Sequence, residues 1–473
     1  MRPLAMLPEI LLFVAGLAVL IGGSFLPRGR QWLTRVVAAA ALLGCAALGV
    51  VALAGPHERA FEGSFVADTA TGAARVVAAV AALLILGLAG DELTGSPRES
   101  ETYALLLFST TGALVLAGAD DLLVLAVGFL LASIPVYALV GLARSRAGAE
   151  AAMKTYLVGA LFGIVLLLGV TILYAVAGGT AYPELRVGLT TAPHAAVAAG
   201  VVAVLAGLMF EAGGVPAHFW VPDAAEASTG VTAAFLTTVP KVGALVAAFR
   251  LVSVLPDGVA WPLLVALLAA GSMTLGNLAA YWQHDPRRLL GWSTVGQVGF
   301  LLVPVAVAGR SPLALPALLF YLAAYALTNV AAFAVTTALP ARRDLADYRG
   351  LVRTHPCLAG ALVVALLGLV GTPPTGVFVG KLTVATAGWE GGMAWLAVLL
   401  LVNTLLSLFY YLRWIAPAVR SDRAARGVAT RREEASATLP WSGAVAVVAA
   451  ALSLAVGVSA ALLWGLLDGS LMA

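Results

Sequence analysis

Charge is scarce in this chain, and lysine is scarcer still. Charged residues fill 11% of 473 positions, against about 25% in a soluble globular domain. That shortage excludes an ordinary solvated fold. Cysteine is nearly absent too. Cys45 and Cys357 fall in different apolar segments with no CxxC or Cys/His spacing, so a disulfide or metal site is not expected and inert thiols are. No glycine-rich nucleotide loop follows a strand, and no paired histidines suit haem. The chain is therefore expected to hold no cofactor and no redox centre of its own. The net charge of +3 belongs to the loops, where it bears on membrane orientation and not on nucleic acid.

What remains is apolar. Hydrophobic residues make up 61% of the sequence, arranged in helix-length runs that predict an all-α polytopic membrane protein with about 14 transmembrane helices. The runs lie near 5–26, 32–54, 73–91, 103–119, 121–143, 150–178, 195–213, 231–255, 261–282, 288–308, 313–337, 357–388, 391–415 and 441–465. The first run is preceded by Pro8 and Glu9 and followed by Arg28, Arg30 and Arg35. A secretory signal carries its positive charges before the run, so this reads as a retained helix. Arginines crowd the loops after odd-numbered spans, including Arg98, Arg144, Arg146, Arg287, Arg288, Arg342 and Arg343, and the long loop near 416–440. Loops after even-numbered spans hold little beyond Arg59, Arg186 and Arg310. The positive-inside rule then makes odd loops cytoplasmic and puts both termini outside. The arginine-rich loop is a candidate contact for anionic lipid or a cytoplasmic partner.

The chain has three lysines, Lys154, Lys241 and Lys381, all within apolar segments. Each costs roughly 2.5–3.5 kcal/mol at the centre of a bilayer on insertion scales. Lysine, unlike arginine, exchanges its proton readily once buried, so the pattern reads as a proton path. Lys241 follows Pro240 and a stretch containing Ser228, Thr229, Thr232, Thr237 and Thr238, hydroxyls suited to a hydrated track. It lies too far from either predicted helix end to snorkel. Lys381 follows Pro373 and Pro374; it either carries protons or satisfies the terminal carbonyls of a preceding half-helix. Lys154 sits four residues after Glu150, the favoured order for a helical ion pair, and a pair at the membrane edge competes with a relay role. Glu211 is the only acidic residue well inside a span, with a lysine on a neighbouring helix as its expected partner.

Two interruptions repeat. Gly213-Gly214-Val215-Pro216 and Gly371-Thr372-Pro373-Pro374 break apolar segments five spans apart. Paired breaks of this kind point to discontinuous helices at an ion site, and an odd offset makes the repeat inverted. Residues 222–237 either form a separate half-helix or run on into the span containing Lys241. Asp223, with Glu226 three residues on, has capping-box order; His218, Asp223 and Glu226 are poorly spaced for a metal. Asp120 and Asp121 read as a solvated turn. Gln297 and Asn329 either bind water along the track or hold helices together.

The segments Gly214–Asp223 and Val231–Lys241, and the segment Gly371–Lys381, resemble the signatures of the antiporter-like membrane subunits of respiratory complex I. So do Arg288–Thr294, Asp347–Leu351 and Glu150–Tyr156. The resemblance covers nearly the whole chain. It implies two inverted five-helix repeats with discontinuous seventh and twelfth helices. Residues 1–102 would hold helices 1–3, residues 103–255 and 256–415 the repeats, and residues 416–473 the arginine-rich loop and last helix. It implies a proton channel in which Lys241, Lys381 and Lys154 match family lysines. It places NAD, FMN, iron–sulfur clusters and quinone in partner subunits, with other membrane subunits and lipid as neighbours in a bacterial cytoplasmic membrane. Two positions depart from the pattern: Leu130 stands where the family has a glutamate in its fifth helix, and Glu211 where it has a lysine in its seventh. Gln297 stands where a histidine is common. Three functions compete. One is a proton-translocating subunit of a complex I-like quinone oxidoreductase, another a subunit of a multisubunit cation/proton antiporter, and the third a structural paralogue that conducts nothing.

Overall fold

The computed structural model describes residues 2–256, 258, 260–420, 438–467 and 471. Most of the predicted loop 416–440 lies outside them. The described chain is helical apart from one small antiparallel hairpin, β1 (Glu58–Ala60) and β2 (Phe65–Ala67), with Arg59 opposite Val66. Among the described residues, 13 helices are long and apolar enough to cross a membrane. They include α1 (Leu7–Phe25), α2 (Trp32–Ala54), α3 (Thr69–Glu92), α4 (Glu99–Gly118), α5 (Leu122–Gly141) and α6 (Arg146–Ala177). After the short α7 (Tyr182–Gly188) come α8 (His194–Ala212), a break, α9 (Trp220–Ala227), α10 (Gly230–Leu236) and α11 (Val239–Ser253). The second half runs α12 (Trp261–Ala280), α13 (Pro286–Ala306), α14 (Ala314–Ala338), α15 (Leu351–Thr354), α16 (Pro356–Val370), a break, α17 (Gly376–Glu390) and α18 (Ala394–Val419). The chain closes with α19 (Pro440–Val458) and α20 (Ala460–Leu467). Together α16 and α17 supply the remaining crossing, which makes the predicted fourteen. The stretch 222–237 falls in two pieces, α9 and α10, parted at Ser228 and Thr229.

Local chemistry sets the helix starts. Asp68 caps α3 by accepting from the Thr71 amide at 3.1 Å, Asp121 caps α5 through Leu123 at 2.7 Å, and Ser145 caps α6 through Gly148 at 2.8 Å. Asp285 with Pro286 at the first helical position starts α13. These are the usual devices for satisfying free amides at an N-terminus. The helices differ in how far they sink into the bundle. The most apolar windows of α10–α11, α13 and α14 are 100%, 94% and 94% buried, whereas that of α6 is 28% buried. The bundle therefore has a nearly enclosed axis of α10, α11, α13 and α14 and an exposed apolar rim. Small residues let the axis close up: a Cβ on Gly276 of α12 would meet the Gly296 amide of α13 at 2.4 Å, the seam expected where packing must replace the hydrophobic drive.

Ion pairs are sealed inside. Arg75 of α3 meets Glu9 of α1 at 2.8 Å, and Arg250 of α11 pairs with Asp68. The reading of Asp120 and Asp121 as a solvated turn is corrected here. Both are at most 9% exposed. Asp121 is committed to the α5 cap and to the Thr180 hydroxyl at 2.6 Å. Asp120 lines a cavity of about 170 Å³ with Tyr182, Arg186 and Arg250. Burial pushes its carboxyl up to about 6, against the opposing pull of Arg250 and Arg59. A dipeptide of two acids looks solvated in sequence, but the hairpin folds over it: Phe65 bridges to Ala119 and the Asp120 amide donates to Ser64 O.

Candidate functional site

Each predicted break is closed the same way. Gly213 ends α8 at φ +77° and Gly371 ends α16 at φ +88°, left-handed conformations that glycine adopts without strain. Cis peptides follow at Val215–Pro216 and Pro373–Pro374. Over each glycine lies a lysine. A Cβ on Gly213 would come within 3.3 Å of Lys241 Nζ, and one on Gly371 within 3.0 Å of Lys381 Cδ. Lys241 donates to the main-chain carbonyl of Glu211 at 3.0 Å; Lys381 donates to those of Leu369 and Val370 at 3.2 and 3.0 Å. These carbonyls are the unpaired groups at a helix C-terminus, where the dipole favours a cation. An aromatic face completes each cradle: Lys241 Nζ lies 5.0 Å from the Trp220 ring centre and Lys381 Nζ 4.0 Å from that of Phe300. Both lysines are buried, at 0% and 4% exposure. Among the described residues neither is in an ion pair. Neutral carbonyls accept from an amine as well as from an ammonium, so the cradle tolerates both forms.

The expected partnership of Glu211 with a lysine takes an unexpected form. The lysine holds the glutamate's main chain, while the carboxylate turns to α5 and accepts from the Ser133 hydroxyl. Its other oxygen, Oε1, is buried with no hydrogen-bond partner. Leu130, at the position of the family's fifth-helix glutamate, is 39% exposed and faces outward. The α5 side chain that meets Glu211 is Ser133, three residues on. Sequence comparison at position 130 alone could not show this.

Between the two lysines runs a buried line of hydroxyls and amides. Asn329 of α14 donates to Thr237 Oγ1 at 3.0 Å and Thr238 Oγ1 at 2.9 Å, three residues before Lys241. Tyr325 donates to Thr237 O at 2.7 Å and reaches Thr294 Oγ1 of α13 at 3.2 Å. One turn along α13, Gln297 donates to Leu369 O at 2.9 Å, the same carbonyl that holds Lys381, and accepts from Tyr321. The structure thus brings Glu211, Lys241, Asn329, Gln297 and Lys381 into one connected interior. Tyr321 and Tyr325 were not singled out in the sequence. Their spacing of four places both hydroxyls on one helix face, and that was the available signal.

Lys154 lies apart. Its side chain is 48% exposed and bonded to Glu150 at 2.8 Å and Asp223 at 2.9 Å. Asp223 is not the predicted cap: α9 begins at Trp220, and Asp223 instead joins Lys154 to Arg288, which also takes Glu226 at 2.7 Å. Among the described residues no three His, Cys, Asp or Glu side chains gather to hold a metal. His218 packs against Phe219 and Trp292, with ring centres 4.2 and 5.6 Å away.

A membrane bundle with two broken helices, each closed by a buried lysine, has the architecture of the antiporter-like membrane proteins. The chain belongs to the NADH:quinone oxidoreductase/Mrp antiporter transmembrane family, which it matches over residues 119–407. It is 65% identical over 466 residues to an NADH-quinone oxidoreductase subunit N from Mycobacterium sp. (strain JLS), covering 98% of each chain. Its fold superposes on a chain of respiratory complex I from Thermus thermophilus with TM-score 0.83 at 30% identity, covering 98% of this chain and 100% of that one. It also superposes on a chain of the Mrp complex from Dietzia sp. DQ12-45-1b with TM-score 0.86 at 23% identity, covering 98% and 96%. That second likeness is one of fold.

Proposed function

We propose that this chain is a proton-translocating membrane subunit of a complex I or complex I-like quinone oxidoreductase. In this reading it sits in the bacterial cytoplasmic membrane with both termini outside. It is flanked by other membrane subunits, and quinone reduction and the NAD, FMN and iron–sulfur centres belong to its partners. Residues 103–255 and 256–415 act as two inverted halves between helices 1–3 (1–102) and the C-terminal segment (416–473). The relatives named as NADH-quinone oxidoreductase subunits favour this over a multisubunit cation/proton antiporter.

One observation carries the reading: Lys241 and Lys381 are enclosed, held on neutral carbonyls, and free of any described ion pair. A lysine tied to a carboxylate would be fixed as an ammonium. A lysine on carbonyls releases its proton without breaking a salt bridge, and keeps a hydrogen bond as the amine. Protons then pass along water and the Thr237, Tyr325 and Thr294 hydroxyls, while Asn329 holds the Thr237 hydroxyl in place and Gln297 the Leu369 carbonyl. Glu211 is the acid–base neighbour of Lys241, and Lys154 is an outer station at the bundle's edge. The test replaces titratability while keeping charge. Arginine holds its proton in proteins, so Lys241→Arg in the assembled enzyme should stop proton transfer through this subunit. Vesicles that pump at the native proton-to-electron ratio with Lys241→Arg would show that position 241 supplies only a charge.

A further inference from the structure

A second polar line leaves the axis near Lys381, and the axis reading does not use it. It starts at Ser293 of α13, one turn before Gln297, whose hydroxyl is hydrogen-bonded to that of Tyr411 on α18. Tyr411 packs against Tyr410 with ring centres 4.3 Å apart. Tyr410 donates to Asn277 Oδ1 of α12 at 3.1 Å, and its ring meets the edge of Tyr281 at 5.8 Å. Ser293, Asn277, Tyr410 and Tyr411 are at most 1% exposed, whereas Tyr281 is partly exposed in the loop that joins α12 to α13.

The line has a direction. At 1.5 Å per residue, Gln297 lies about 16 Å, and Ser293 about 10 Å, from the start of α13 at Pro286. By the same rise, Asn277 lies about 5 Å from the end of α12 at Ala280. Both helix ends meet in the loop 281–285, so from Gln297 to Ser293 along α13, and on to Asn277 of α12, the line steps toward that face. Adhesion between membrane helices gains from polar pairs. It does not need them stepped toward one face.

We propose that Tyr410 and Tyr411 form a proton branch between the loop 281–285 and Lys381, an inference that rests on Lys381 exchanging protons as argued above. A proton from water at the loop binds a lone pair of the Tyr410 hydroxyl, which passes its own proton on. Tyr411 and then Ser293 repeat the exchange, with bound water completing the step to Lys381. A new N–H bond forms on the lysine amine, and every hydroxyl ends with the proton count it began with. Asn277 cannot relay a proton in this way. It is a positioning residue that fixes the Tyr410 hydroxyl.

The test uses the whole enzyme in vesicles and reads protons moved per electron together with the oxidoreduction rate. Tyr411→Phe removes one hydroxyl and keeps the ring. It should lose the same share of pumping as Lys381→Met, whereas Tyr348→Phe, a buried tyrosine outside the branch, should lose none. Ser293→Ala should repeat the loss, and it carries the test alone if Tyr411→Phe does not assemble. Native pumping in Tyr411→Phe or Ser293→Ala, with or without a lowered melting temperature, overturns the branch if Lys381→Met is deficient. Native pumping in Lys381→Met itself overturns the reading beneath it.

Discussion

Replacing Glu211 by glutamine isolates one charge. The carbonyl that holds Lys241 is main chain and survives, and the new amide still accepts from Ser133. What disappears is a carboxylate beside a buried amine. No Lys241–Glu211 ion pair falls within 4.0 Å. Two unit charges a little beyond that limit, at about 5 Å and an effective dielectric near 20, interact by about 3 kcal/mol. At 1.36 kcal/mol per decade of rate, that is on the order of a hundredfold. Proton delivery to Lys241 should slow by that factor, enough to abolish this subunit's share of pumping while quinone reduction continues. The assay is an entrapped pH dye in vesicles carrying the assembled enzyme, with oxidoreduction followed in parallel. Glu211→Gln pumping at the native ratio would refute the reasoning and leave the carboxylate a static element.

Three further outcomes follow from particular contacts. Lys154→Met should reduce pumping much less than Lys241→Met in the same vesicles, because Lys154 is half exposed in an edge network with Glu150 and Asp223. Glu9→Gln strands the buried Arg75 guanidinium, and breaking such a pair costs about 3–5 kcal/mol, so the melting temperature of the assembled enzyme should fall with its oxidoreduction chemistry unchanged. Asp120 has a carboxyl raised from 3.8 to about 6 by burial. Its contribution to stability is complete below about 4 and lost as pH rises through about 6. Asp120→Asn should therefore stabilise at pH 7 relative to native and gain nothing at pH 4, as read by thermal melts at both values.

The fold was largely legible because membrane helices declare themselves by length and apolarity, and because glycine with proline marks a break wherever it falls. Gly213 and Gly371 announced both broken helices, and the lysines beside them mark the candidate site. What escaped depends on three-dimensional approach. The aspartate pair at 120–121 is polar in sequence but lies beneath the hairpin. Asp223 has cap-like spacing, yet Trp220 starts its helix and Arg288 claims its carboxylate. Glu211 is expected to pair with a lysine through its carboxylate, but nothing in a sequence tells whether a lysine takes a side chain or a main-chain carbonyl. The tyrosines of α14 and α18 read as ordinary apolar bulk, since their hydroxyls acquire meaning only against Thr237, Gln297 and Ser293 on other helices.

The central claim is that buried amines at the two helix breaks exchange protons. It is met most directly by converting Lys241 and Lys381 together to methionine and comparing proton movement with electron flow in one vesicle preparation. Electron transfer that continues while this subunit's proton movement ceases is the predicted result. An unchanged proton-to-electron ratio in the double variant would contradict the account.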